Sequence, residues 1–145
     1  MMFLVSISLS PRDYVHNGDL DIHPLPFALR IFTLDKNKNI IGRTVGDGNT
    51  LYKIIDNGNS LKKIYTFPEP VVGIQVMDNN YILVSTDKDH WDPHTPCNVY
   101  LSKDNGQTFS TIKTLAESGA IWWSMSADKH NIIYIGEYGP KGVNQ

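Results

Sequence analysis

The stretch that decides the fold is Ser102-Lys103-Asp104-Asn105-Gly106-Gln107-Thr108-Phe109. Its fixed positions form the pattern Ser-x-Asp-x-Gly-x-Thr-aromatic, and each has a physical task. An Asp carboxylate accepts backbone N–H groups across a tight turn. Gly supplies a backbone conformation that residues with a side chain resist. The closing aromatic has the size to anchor the returning strand in a core. Asn98-Val99-Tyr100-Leu101 precedes the octapeptide and Phe109-Ser110-Thr111-Ile112-Lys113-Thr114-Leu115 completes it. Both flanks are β-branched and aromatic runs that read as strands.

Upstream lies a degenerate copy at residues 54–61. It keeps Asp56, Gly58 and Ser60 but places Ile54 and Leu61 at the Ser and aromatic positions. Thr50-Leu51-Tyr52-Lys53 leads into it and residues 61–67 leave it, so Asp56 and Asp104 stand in the same context, one repeat apart. A further strand pair precedes each copy: 29–34 and 40–45 around a turn at 35–39, then 73–77 and 81–86 around a turn at 78–80. A third such pair runs over 123–126 and 132–137, with its turn at 127–131. Helical periodicity is nearly absent. A repeat as long as the interval from Asp56 to Asp104, built from four strands, predicts the blade of a β-propeller.

The expected fold is therefore all-β: a partial β-propeller of about two and a half four-stranded antiparallel blades. Residues 27–67 form blade 1, 71–115 blade 2 with its turn at 102–109, and 120–145 an incomplete blade 3. Residues 1–26 form an N-terminal segment, where Val5, Ile7 and Leu9 alternate with serines as in an outer strand. A third Asp turn would fall beyond Gln145. Propellers close with about 4–8 blades, and an open stack exposes unpaired edges. The expectation is a fragment, or a protomer whose ring is completed by further blades or by self-association.

Residues 98–115 resemble the BNR/Asp-box repeat of the sialidase superfamily, matching it at Ser102, Asp104, Gly106, Thr108 and Phe109. The likeness extends over residues 27–145. It implies that the Asp-boxes are structural turns on the face away from the usual site. It also implies a carbohydrate-active protein that binds a glycan or processes it as a glycoside hydrolase-like or lyase enzyme. The alternative is a non-catalytic propeller used for protein binding or assembly, because fold does not set function.

On the face opposite the Asp-boxes the second blade carries Asp87-Lys88-Asp89-His90-Trp91-Asp92-Pro93-His94-Thr95-Pro96-Cys97, where the first has Gly46-Asp47-Gly48-Asn49. His90 is a candidate acid–base group, and Trp91, Asp92 and His94 are candidates for ligand contact by stacking and hydrogen bonding. A solvated loop pinned by its two prolines is the plain alternative. His90, Asp92 and His94 match no strong metal-ligand spacing, so no metal and no cofactor is expected. In the third blade Glu137 and Tyr138 are similar to the paired acid and tyrosine of sialidase-like sites, and are candidate catalytic residues under that resemblance. Trp122 and Trp123 follow the blade-joining loop. Neighbouring strand residues point to opposite faces, so one can line the channel while the other fills the core, and Trp122 is the ligand candidate.

The resemblance has gaps. That family holds a carboxylate with three arginines, whose forked guanidinium suits the task. This chain has Arg12, Arg30 and Arg43; Arg30 sits in Leu29-Arg30-Ile31, an echo of the family's Arg-Ile-Pro with Phe32 for proline, and Arg43 lies mid-strand. Sialidase activity itself is not expected of this chain alone.

Composition narrows the classes further. The chain has 145 residues and a formal net charge of -2, with no basic stripe, which argues against a nucleic-acid partner. Its single cysteine, Cys97, excludes an internal disulfide framework and a cysteine-based zinc site. The apolar start, Met1-Met2-Phe3-Leu4-Val5, has no basic region before it and is too short to span a membrane. Location is left open, and would be extracellular or periplasmic if the parent carries a signal peptide.

Overall fold

The computed structural model describes residues 25–89, 95–115, 125–128, 130 and 132–135. These residues are all-β, with two four-stranded antiparallel sheets and one two-stranded sheet. The first sheet runs β1 (Leu29–Leu34), β2 (Ile40–Thr44), β3 (Thr50–Ile55) and β4 (Ser60–Thr66), each strand beside its sequence neighbour. The second repeats this as β5 (Val71–Val76), β6 (Ile82–Asp87), β7 (Cys97–Ser102) and β8 (Ser110–Leu115). The third pairs β9 (Met125–Ala127) with β10 (Ile133–Ile135).

The sequence repeat is also a repeat of backbone detail. The β1–β2 register shifts between Leu29 and Ile31, and the β5–β6 register shifts at the equivalent place, between Val71 and Gly73. The third and fourth strands shift between Leu51 and Tyr52 in one sheet and between Val99 and Tyr100 in the other. The interval from Leu51 to Val99 is longer than that from Leu29 to Val71, and the excess lies in the β6–β7 loop.

The opening hairpin turn recurs three times. Asp35 N–H donates to Asn39 O at 2.9 Å, Met77 N–H to Tyr81 O at 2.9 Å, and Asp128 N–H to Ile132 O at 3.0 Å. Asp35 Oδ1 also accepts the N–H groups of Asn37 and Asn39, as Asp128 Oδ1 accepts those of His130 and Ile132. Lys38 and Asn80 share a left-handed backbone at φ 62° and 66°. Asn is among the few side chains that adopt it readily.

The sheets are held face to face. Alternation along a strand sends successive side chains to opposite faces. In β6 both faces are buried: Ile82 and Val84 join Ile41, Leu51, Phe67 and Val71 in one core, whereas Leu83 joins Cys97, Val99 and Met125 in another. The first core lies between sheets one and two, and the second between sheets two and three. Each fully buried aliphatic side chain contributes about 1.5–3 kcal/mol. A cluster of four rings, Tyr65, Phe67, Tyr100 and Phe109, closes the first core with centroid separations of 4.8–5.0 Å. The first strands of the sheets lie side by side, β1 next to β5 and β5 next to β9.

Two strand limits depart from the sequence pattern. β5 begins at Val71, ahead of the Gly73 start expected from the sequence, and runs through the glycine. A side chain at Gly73 would lie 2.6 Å from Ser85 Oγ and 3.0 Å from Met125 Cε, so the glycine admits the third sheet. Ala127, placed in the turn by sequence, pairs with Ile133 and belongs to β9.

Candidate functional site

The meander puts the β1–β2 and β3–β4 turns of each sheet at one end. The β2–β3 loop and the connection to the next sheet lie at the other. The first end is a structural frame. Asp104 Oδ1 accepts the Ser102 hydroxyl at 2.8 Å and the Thr108 N–H at 2.9 Å, and Oδ2 accepts the Thr108 hydroxyl at 2.6 Å. Led by the two Thr108 bonds, these contacts hold the Asp104 carboxyl down at about 2. Ser102 is fully buried, and its Oγ accepts the Gly106 N–H at 2.8 Å.

Gly106 has φ +89°, and a side chain there would meet Ile64 Cγ2 at 2.5 Å. Phe109 packs on Tyr65 and Phe67 of the first sheet. The closing aromatic thus fills the seam between two sheets, not a core within its own sheet. The side chains of Ser102, Asp104 and Thr108 bond within the turn, while Gly106 and Phe109 pack against the first sheet.

The degenerate copy is looser. Asp56–Gly58 form a single 3-10 turn in which Asp56, Asn57 and Gly58 have φ 54°, 52° and 98°. Asp56 Oδ2 accepts the Ser60 hydroxyl at 3.0 Å. Ile54, at the Ser102 position, supplies no hydroxyl to the turn.

The opposite end carries polar groups that are not all committed. Asp47 organises the β2–β3 loop: Oδ1 accepts the N–H groups of Asn49 and Thr50, and Oδ2 accepts the Tyr52 hydroxyl at 2.9 Å. Burial pushes its carboxyl up, but bonds from Thr50, Tyr52 and Asn49 outweigh this and hold it below the usual range. The loop is tied to the β4–β5 connection by Phe67 N–H to Asn49 O at 2.9 Å and Val71 N–H to Gly48 O at 2.8 Å.

Beneath this loop lies Arg43. It is 7% exposed, on the same face of β2 as the core residue Ile41. Its Nε is buried without a hydrogen-bond partner. The ion pair of the described residues is Lys53–Asp35, at 3.0 Å, so no carboxylate there compensates Arg43. Burial, then the charge of Arg30, lowers its pKa. Gly48 passes so close that a side chain there would lie 3.2 Å from the guanidinium. Ser85 pairs with Gly73 just as Arg43 pairs with Ile31, so it holds the same repeat position, and its buried hydroxyl also has no partner.

In the second sheet Glu69 Oε2 accepts the Thr86 hydroxyl at 3.0 Å and the Asn98 amide at 3.5 Å, and Thr114 donates to Asn98 Oδ1 at 2.7 Å. Burial, then the Glu69 charge, raises the pKa of the neighbouring Tyr100 hydroxyl. Asp87, 1% exposed, anchors the base of the β6–β7 loop, where its Oδ1 accepts Asp89 N–H and the Thr95 hydroxyl, both at 3.1 Å.

His90, Trp91, Asp92, His94, Trp122, Glu137 and Tyr138, the residues singled out for ligand contact or catalysis, lie outside the described residues, as does the N-terminal segment up to residue 24. The described residues with charged or amide side chains built into this end include Arg43, Asp47, Glu69, Asp87 and Asn98, none of which was singled out by a motif. A signal for Arg43 does exist: a cation at an alternating position of the apolar strand Ile40-Ile41-Gly42-Arg43-Thr44 is a charge in a core register. Among the described residues no group of three or more His, Cys, Asp or Glu could hold a metal, and no helix is long and apolar enough to cross a membrane. No family model, curated protein or solved structure matches the chain.

Proposed function

We propose that this chain is part of an Asp-box β-propeller that binds a glycan, with an acidic sugar preferred, at the end opposite its Asp-boxes. The propeller reading is supported by three features: sheets repeating with the same bulges, face-to-face stacking, and first strands that neighbour one another. The observation that carries the ligand reading is Arg43. A buried guanidinium with no carboxylate partner among the described residues retains a large desolvation cost, which an anion at the loop end would offset. A guanidinium fork takes a carboxylate in bidentate fashion. Asp47 and Glu69, each held by hydrogen bonds, offer acceptors to sugar hydroxyls from adjacent loops. If the parent is an enzyme, Glu137 or a His of residues 87–97 supplies the acid–base chemistry.

A glycan array and a hydrolase and lyase screen on the full-length protein test this. The expected result is retention of uronate- or sialate-bearing glycans over neutral ones, lost in Arg43→Met. The absence of both binding and turnover would favour a scaffold. A specific observation supports that second reading. Phe32 and Leu34 of β1 are 44% and 54% exposed on the face away from sheet two, and Ile132 and Tyr134 are 53% and 56% exposed on the far side of sheet three. Such faces suit further blades or a second copy. Light scattering that found a stable, well-folded monomer with no ligand would exclude self-assembly.

A further inference from the structure

The sequence contains three Asn-Gly pairs: Asn17-Gly18, which lies outside the described residues, and Asn57-Gly58 and Asn105-Gly106, at the same position of the two Asp-box turns. Glycine after asparagine removes the steric barrier to attack of the next backbone nitrogen on the side-chain amide. Both asparagines start from the same left-handed backbone, at φ 52° and 59°. Their surroundings differ.

In the second turn the nucleophile is restrained twice. The Gly106 N–H is buried and donates to Ser102 Oγ at 2.8 Å, and the glycine is wedged against Ile64. The electrophile is restrained as well, because Asn105 Oδ1 accepts from Asn80 Nδ2 at 3.1 Å. In the first turn Ile54 replaces the serine, so no hydroxyl takes up the Gly58 N–H. Asn57 is exposed, and among the described residues its side-chain amide makes no hydrogen bond. The nearest atom to a Gly58 side chain would be the flexible tip of Leu25, at 3.1 Å.

We propose that Asn57 is a site of spontaneous deamidation in the folded protein, and that the complete Asp-box shields Asn105 from the same reaction. The Gly58 nitrogen attacks Asn57 Cγ and forms the ring C–N bond. The Cγ–Nδ2 bond breaks, and ammonia leaves with the proton lost from the Gly58 nitrogen. Solvent water then opens the succinimide at either carbonyl, leaving aspartate or isoaspartate at position 57. The product places a second negative charge beside Asp56 and, as isoaspartate, lengthens the main chain of the turn by one methylene.

The test is peptide mapping by mass spectrometry after the full-length protein is aged at mildly alkaline pH, with fragmentation that separates isoaspartate from aspartate. Conversion at Asn57 is expected to run about tenfold or more faster than at Asn105, which corresponds to about 1.4 kcal/mol of extra opening free energy at the shielded turn. Equal rates, a faster Asn105, or an inert Asn57 under conditions that convert a peptide of the same sequence would overturn the proposal. Two variants address the shielding. Ser102→Ala removes the acceptor of the Gly106 N–H. Asn80→Gly frees the Asn105 carbonyl oxygen and keeps a residue that tolerates the left-handed backbone. Each is expected to raise the rate at Asn105 and leave Asn57 unchanged. An unaltered Asn105 rate in both would refute shielding by the box.

Discussion

Replacing Gly106 with alanine separates the two demands that the Asp-box places on its glycine. The first is conformational: φ is +89°, where a residue with a Cβ pays about 1–2 kcal/mol. The second is steric. The new Cβ would lie 2.5 Å from Ile64 Cγ2 of the neighbouring sheet, and inserting a methyl into a packed seam costs about 1–3 kcal/mol. Gly106→Ala should therefore lose about 2–5 kcal/mol. Gly58→Ala is the internal control. Its φ is +98°, but the nearest atom is the end of Leu25, which can swing away. That variant should lose about 1–2 kcal/mol. Urea unfolding of the full-length variants, followed by circular dichroism, gives both values, and an unchanged slope would show that the loss is stability alone. Adding Ile64→Ala to Gly106→Ala should recover most of the steric share, seen as a favourable coupling of about 1–3 kcal/mol. Equal losses at Gly106 and Gly58, with no coupling to Ile64, would refute the claim that the box braces the adjacent sheet.

Phe67→Ala empties the centre of the four-ring cluster and should cost about 3–5 kcal/mol in the same assay, since Phe67 is 2% exposed. The carboxyl of Asp104 is held at about 2, and that of Asp35 is also lowered, with burial opposed by bonds from Asn39 and Lys53. A depressed folded-state pKa gives stability that is present above the unfolded value of about 4 and lost as pH falls through the folded value. Unfolding titrations should therefore show stability declining from pH about 4 towards about 2, with Asp104→Asn less stable above that window and converging with the parent below it. Arg43→Met should fold with equal or greater stability, because it removes a buried charge that no described carboxylate compensates, while acidic-glycan binding is lost; a loss of stability with binding retained would assign Arg43 to the fold.

Much of the fold is legible locally, and the reason is turn chemistry. Asp104, Gly106 and Thr108 act within one octapeptide, so their spacing carries the geometry. Apolar runs such as Ile82-Leu83-Val84 declare strands in the same way, and the lack of polar alternation fits a strand buried on both faces. The ends of strands are less legible: β5 starts at Val71, ahead of the Gly73 start expected from the sequence, and the need for a glycine at 73 shows only in the nearness of Met125 and Ser85. The end opposite the Asp turns is the least legible part. Arg43 belongs to no motif, and its meaning depends on burial, on the nearness of Gly48, and on the absence of a carboxylate partner among the described residues.

By itself the sequence determined the all-β class, the strand order within each sheet, and the repeat that relates Asp56 to Asp104. These follow from alternation and from turns closed by neighbouring residues. Tertiary structure alone decided what the Asp-box glycine and aromatic are for. Both are spent on the preceding sheet, against Ile64, Tyr65 and Phe67, which lie far earlier in the chain. It also decided which cation is buried. A strand pattern specifies that Arg43 shares a face with Ile41, but whether that face meets water or another sheet is set by packing between segments distant in sequence.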